Sequence, residues 1–123
     1  KKLIEDPVFS FDVGDIRHFA LINGINLPLK KNKKDQKKEP ILKFSISEIC
    51  IHPVTKELFL LSATDHLLFV FNMKGKILHI VQLDHDLFYQ PEGLTFFDNG
   101  DMLISNEGQD LEPTLLRFIY RKL

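Results

Sequence analysis

Residues 58–71 read LFLLS, ATDH, LLFVF, and no other stretch restricts the fold so much. Each apolar run is too short for a stable helix and the right length for a strand. Neither run alternates cleanly between apolar and polar positions, so strands formed here are expected to be buried on both faces. The polar ATDH between them is a turn. The pattern continues in both directions. ILKFSI (41–46) leads into EICIHP, VTKE turns the chain back before LFLLS, and NMKG separates LLFVF from KILHIVQL (76–83). Four strands joined by short turns predict an antiparallel meander. Gly75 falls where the last hairpin needs positive φ.

The plan then repeats. SEICIHPVTKELFLLS is echoed by PEGLTFFDNGDMLISN, which aligns Glu48 with Glu92, 44 positions later, and VTKE with DNGD. LFLLS matches DMLIS (101–105) after a one-residue slip at the turn, and LLFVF matches LLRF (115–118). A period of roughly 40–45 residues built from three or four short strands is the mark of a propeller blade. Such a small sheet cannot bury either face alone, so it must stack face-on against neighbours.

Upstream, PVFSFDV (7–13) predicts a strand. Asp15 reads as a helix cap, and IRHFALI as one or two helical turns ended by Asn23-Gly24. Residues 28–40 carry six lysines with no apolar partner between Leu29 and Pro40, which predicts a solvated surface loop. No aromatic residues interleave the lysines and the formal charge is only −1, so a nucleic-acid partner is not expected. The expected organisation is an outer strand and short helix of a preceding blade at 1–27, the lysine loop at 28–40, one blade at 41–86 and a final blade at 87–123.

No apolar run approaches the roughly 20 residues that span a bilayer, so no transmembrane segment is expected. The opening KKLIEDPVFSF has neither an initiator Met nor the apolar stretch of a signal peptide; a fragment of a longer parent is the expectation. Cys50 is the only cysteine, which leaves no internal disulfide and no cysteine zinc site, and between Ile49 and Ile51 it reads as a small buried filler. His18, His52, His66, His79 and His85 show no HxH or HExxH spacing and are not expected to act as a set. No serine stands in a GxSxG elbow.

IHPVTKELFLLS, the MKGKIL hairpin, QPEGLTF, and LISNEG followed by TLLRF together resemble the C-terminal blades of the SdiA-regulated family of bacterial β-propeller proteins, found in Bacteroidetes. The resemblance implies an all-β fold of antiparallel meander blades, a six-bladed propeller of which this chain holds a partial ring of about two to three blades. The remaining blades would come from a longer parent chain or a self-associated copy. The resemblance also implies a place in the cell envelope or periplasm, an outer-membrane lipoprotein included.

In such a ring Glu48 and Glu92, which begin the expected innermost strands, line the central channel. Glu92, Asn106 and Glu107 offer carboxylate and amide oxygens that suit a hard cation such as Ca²⁺. Their competing roles are structural: a carboxylate accepting backbone N–H bonds and an Asn at a turn. Two functions follow. One is a non-enzymatic binding propeller taking a protein or small-molecule ligand. The alternative is a Ca²⁺-dependent hydrolase of phosphoesters or lactones, as in the more distantly similar phytase and lactonase propellers.

Overall fold

The computed structural model describes residues 12–27, 29–30, 41–42, 46–108 and 112–121. Its elements are α1 (Val13–Ile22), β1 (Leu29–Lys30), β2 (Ile41–Leu42), β3 (Glu48–Ile51), β4 (Leu58–Ser62), β5 (Leu67–Phe71), β6 (Ile77–Gln82), β7 (Pro91–Phe96), β8 (Met102–Asn106) and β9 (Thr114–Phe118). Among the described residues the fold is all-β apart from one short helix. β3-β4-β5-β6 form a four-stranded antiparallel sheet in chain order, β7-β8-β9 a three-stranded one, and β1 pairs with β2. The meander and both of its repeats are therefore present as expected.

The helix begins earlier than the sequence implied. Asp12, not Asp15, is the N-cap, its Oδ1 accepting from Gly14 N–H at 2.7 Å. Val13 consequently opens the helix instead of closing a strand, and the rest of the strand expected at 7–13 lies outside the described residues. With ten residues α1 runs nearly three turns, and Asn23 and Gly24 end it, Gly24 at φ 65°. The lysine loop is likewise beyond the described residues, save that Lys30 pairs with Ile41 across the β1–β2 ladder.

Every residue of β5 is buried, as its unbroken apolar run requires, and the strand divides two cores. Leu67, Phe69 and Phe71 face one side, with Leu58, Leu60, Ile77 and Ile80, and α1 lays Ile16 and Ala20 over them. Leu68 faces the other side with Leu61, against Leu94 and Ile104 of the second sheet. Sheet stacks on sheet, and helix caps the outer face. Gly75 at φ 85° turns the β5–β6 hairpin, its N–H bonded to Asn72 O.

Pairing register refines the repeat. Leu60 pairs with Ile49 and with Phe69, while Ile104 pairs with Leu94 and with Leu116. Leu60 and Ile104 each face the layer before them, so Ile49 corresponds to Leu94, and Phe69 to Leu116. Glu48 then corresponds to Gly93, and Ser47, one step earlier, to Pro91, which pairs with Asn106. The sequence echo slipped because β7 carries a bulge between Pro91 and Gly93, and Glu92 is its extra residue.

The end of the second sheet bearing the β7–β8 turn is closed by polar groups with full complements of partners. Asp101 accepts from the Arg117 guanidinium at 2.8 and 3.0 Å and from Tyr120 N–H at 2.8 Å. Arg117 also lies over the Phe97 ring at 4.0 Å. His52 is buried beneath Phe59, Phe96 and Tyr120, with its Nδ1 accepting from Val54 and Thr55 N–H.

Phe69→Ala is expected to remove about 3–5 kcal/mol of stability, measured by urea denaturation, because the ring is fully buried in the helix-covered core. The bonds from Tyr120 N–H and then Arg117 hold the Asp101 carboxyl below the ordinary Asp range. Its folded pKa is depressed, so its contribution is present above the unfolded value near about pH 3.9 and lost as pH falls through the folded one. Asp101→Asn should therefore flatten the acid limb of a plot of urea midpoint against pH.

Candidate functional site

The opposite end of the sheets is built differently. There β3, β5, β7 and β9 begin and β4, β6 and β8 end, and a cleft of about 580 Å³ opens between the two sheets. Ser47, Thr64 and His66 line it from the first sheet, and Tyr89, Gln90 and Glu92 from the second. Pro91 and Ala63 complete its walls.

Local hydrogen bonds fix each wall. Ser47, just ahead of β3, donates its N–H to Leu61 O and accepts Ala63 N–H on its hydroxyl at 3.0 Å. Ser62 donates to Asp65 Oδ2 at 2.7 Å, closing the β4–β5 turn. That turn holds His66 at φ 53°, a left-handed conformation uncommon outside glycine that His adopts more readily than most residues. Its ring stacks on His85 at 3.7 Å and 15°, and both of its buried ring nitrogens are without a partner. On the far wall, Asp84 Oδ1 accepts N–H bonds from Asp86 and Leu87 and shapes the loop ahead of β7. The Tyr89 hydroxyl donates to Glu112 O.

The structure brings Glu92 and Glu107 together. The bulge turns Glu92 into the cleft, while Glu107, just past β8, donates its N–H to Gln90 O. The two side chains share a hydrogen bond, which, with desolvation and the repulsion of a second carboxylate, pushes the Glu92 carboxyl above its ordinary range. Asn106 is 2% exposed; its Nδ2 donates to Leu87 O and Thr114 Oγ1, and its Oδ1 has no partner. It follows Met102 and Ile104 on the face turned toward the first sheet. Of the four residues only Glu92 lines the cleft; Asn106 and Glu107 lie behind it, and Glu48 is exposed and not joined to the pair.

The register adds a comparison within the molecule. Ser62 and Ala63 of the first sheet correspond to Asn106 and Glu107 of the second, while Glu92, the bulge residue, has no counterpart there. Where the first sheet closes its end with a neutral bond from Ala63 N–H to Ser47, the second sets two carboxyl groups against each other.

Glu48, Asp65, Asp84 and Asp86 lie at the cleft end, as do Glu92, Glu107 and Glu112, while the turns at the other end carry both Lys56, Lys74 and Lys76 and Glu57, Asp98 and Asp101. No Lys or Arg is among the residues that line the cleft. No group of three His, Cys, Asp or Glu is placed to hold a metal ion among the described residues. Cys50 is half-buried against the inter-sheet core instead of fully inside, and desolvation, then Glu48, raises its thiol pKa, which disfavours the thiolate a nucleophile needs.

His66, His85, Tyr89 and Gln90 carried no spacing signal. His66 and His85 meet only because β5 and β6 are paired, so histidines that looked unrelated along the chain form a stacked pair. The one advance signal was QPEG, whose Gln and Glu flank the bulge.

Glu92 keeps its proton at a pH where an unfolded chain, with a Glu value of about 4.3, has lost it. Stability from this group is therefore full below that value and declines as pH rises through the raised folded pKa. Glu92→Gln should abolish the decline, so that the urea midpoints of the variant and the parent diverge above about pH 4.3, the variant being the more stable. Coincident profiles would place the pair apart. No family model, curated protein or solved structure matches this chain.

Proposed function

We propose that the two sheets are successive blades of a β-propeller of the SdiA-regulated type, and that the protein is a non-enzymatic binding module of the bacterial cell envelope that takes its ligand in the inter-sheet cleft. The carrying observation is where the cleft lies. It opens between consecutive sheets at the end where their innermost strands begin, the place where propeller loops gather around a channel mouth. Glu48 and Glu92 are the channel-side carboxylates of this reading.

Three features support a ring. The sheets stack face-on, and corresponding residues face the same way. Ile49 and Ile51 are each 48% exposed on the side where a preceding blade would pack, beyond the reach of α1. Leu115, 68% exposed, and Phe97, 40%, lie on the side of a following blade. The missing neighbours would come from a longer chain or another copy. No helix among the described residues is long and apolar enough to cross a membrane.

A Ca²⁺-dependent hydrolase of phosphoesters or lactones is the second reading, with Glu92, Glu107 and Asn106 Oδ1 as the residues that would hold the ion. Their oxygens are the hard donors Ca²⁺ prefers, yet three side chains fall short of the roughly six to eight oxygens it takes. The chemistry Ca²⁺ would supply is polarisation of the scissile group. An anionic phosphoester would meet no Lys or Arg among the residues that line the cleft, so binding without turnover is the better fit.

Thermal unfolding against a panel of saccharides, amino acids and amines tests the choice. A true ligand at a hundredfold excess over its Kd should add about 2.7 kcal/mol of stability. Thr64→Trp, which fills the cleft from an exposed turn, should abolish that gain without lowering the unliganded Tm. Calcium-dependent turnover of a phosphoester or lactone, lost in Glu92→Gln, would instead establish the hydrolase.

A further inference from the structure

Resting on the reading of the two sheets as successive layers of a ring, we infer that a second copy of this chain completes the second sheet, its residues 8–11 adding as a fourth strand along the open edge of β9. The first sheet has four strands and the second three. The register makes β9 the counterpart of β5, since Leu116 matches Phe69 and Phe118 matches Phe71. Along its outer edge β5 is paired with β6, whereas β9 has no strand beside it among the described residues. Burial records the difference. Phe69 and Phe71 are fully buried, flanked by Ile77 and Ile80 of β6. Leu116 and Phe118 also turn toward an apolar core, that of Leu94 and Ile104, yet stay only half-buried. The edge is also unguarded. β6, the outer strand of the first sheet, pairs with β5 through an irregular register at Val70–Phe71, one of the devices that blunt an edge. β9 pairs with β8 without a break and contains no Pro.

The chain supplies one further stretch of strand pattern. VFSF (8–11) alternates Val8 and Ser10 against Phe9 and Phe11, so one face of such a strand sets two Phe beside the row of Leu116 and Phe118. It cannot reach β9 of its own chain. It runs directly into Asp12, the cap of α1, and α1 covers the face of the first sheet that turns away from the second. Layers about 10 Å deep put α1 and β9 roughly 20 Å apart. Consecutive Cα atoms are only about 3.8 Å apart, so Phe11 stays on the far side of the first sheet.

On a second copy the same segment is well placed. α1 packs against β6, the outer strand of its sheet, so the residues ahead of it emerge at the outer edge, beside the layer that would cover Ile49 and Ile51. When that layer is the second sheet of another copy, its open outer edge is β9, and its exposed Leu115 and Phe97 face Ile49 and Ile51. One partner fills the edge and the face together. The contact is head-to-tail, so repetition closes a ring or continues as a stack.

Sedimentation velocity of the full chain, with hydrogen exchange at β9, gives the test. The full chain should sediment as an assembly. The double variant Phe9→Glu, Phe11→Glu should return it to single chains and lower protection about tenfold at the β9 amides that point away from β8. Met73→Lys, in the exposed β5–β6 turn, should change neither. Adding the peptide DPVFSF to the double variant should restore that protection, and the same peptide with both Phe replaced by Glu should not. An assembly that survives the double variant, or a peptide that leaves the β9 amides unprotected, would overturn the inference. If the full chain sediments alone, the second copy is wrong, and a longer chain remains the source of the neighbouring layers. Ile49→Lys should also disperse the assembly. If the double variant disperses it and Ile49→Lys does not, the added strand stands and the stacking of successive layers is wrong.

Discussion

A strand with no polar face is the constraint from which the rest of this architecture follows. Leu67–Phe71 alternate between two sides of one sheet, and both sides are apolar, so the sheet needs a cover on each. On one side the cover is α1, whose Ile16 and Ala20 meet Leu67, Phe69 and Phe71. On the other it is a second meander, whose Leu94 and Ile104 meet Leu61 and Leu68. Burial at roughly 25 cal/mol per Å² makes these two layers the main source of stability. Twisted sheets stacked in this way touch through their middles and part toward their ends. The cleft is thus a product of the same packing that holds the molecule together.

The two ends of the stack meet their polar requirements in opposite ways. At the end of the β7–β8 turn, Asp101 takes three hydrogen bonds and His52 two, and both residues are buried. Such networks rigidify when every member is satisfied. At the cleft end, His66 keeps two buried nitrogens without partners, Asn106 keeps one oxygen, and the Glu92 carboxyl, beside Glu107, is held above its ordinary range. Each costs stability in the free protein. A fold that can satisfy its polar groups at one end and leaves them wanting at the other concentrates its capacity for binding at the second.

The strands were legible in the sequence because their length and apolar character admit no other element. LFLLS, LLFVF and TLLRF are β4, β5 and β9 to the residue. What misled was local and short-ranged. Asp12 and Asp15 are equally good caps by composition; Asp12 wins because its carboxylate reaches Gly14 N–H and helical backbone can start at Val13. Glu48 and Glu92 matched as letters, yet Glu92 is the extra residue of the bulge at Pro91–Gly93, and Gly93 takes the place of Glu48. Of the expected cation ligands Glu92, Asn106 and Glu107, the two carboxylates meet, while Glu48, expected only to line the channel, stands apart. Their meeting depends on the β7–β8 register, and the His66–His85 stack on the β5–β6 register, neither of which leaves a periodic trace along the chain.

Repetition also separates what the fold needs from what it does not. Positions that face the inter-layer cores stay apolar from one sheet to the next: Leu60 and Ile104, Ile49 and Leu94, Phe69 and Leu116, Phe71 and Phe118. Positions at the strand ends change in chemical kind. Ala63 is replaced by Glu107 and Ser62 by Asn106, and the bulge adds Glu92 where the first sheet has no residue. The first sheet shows that a hydroxyl accepting one backbone N–H is enough to close such an end. Carboxyl groups in those places add repulsion without adding a strand, a turn or a core contact. Their presence in the second sheet answers to something other than folding, and the cleft that Glu92 lines is the feature to which it can answer.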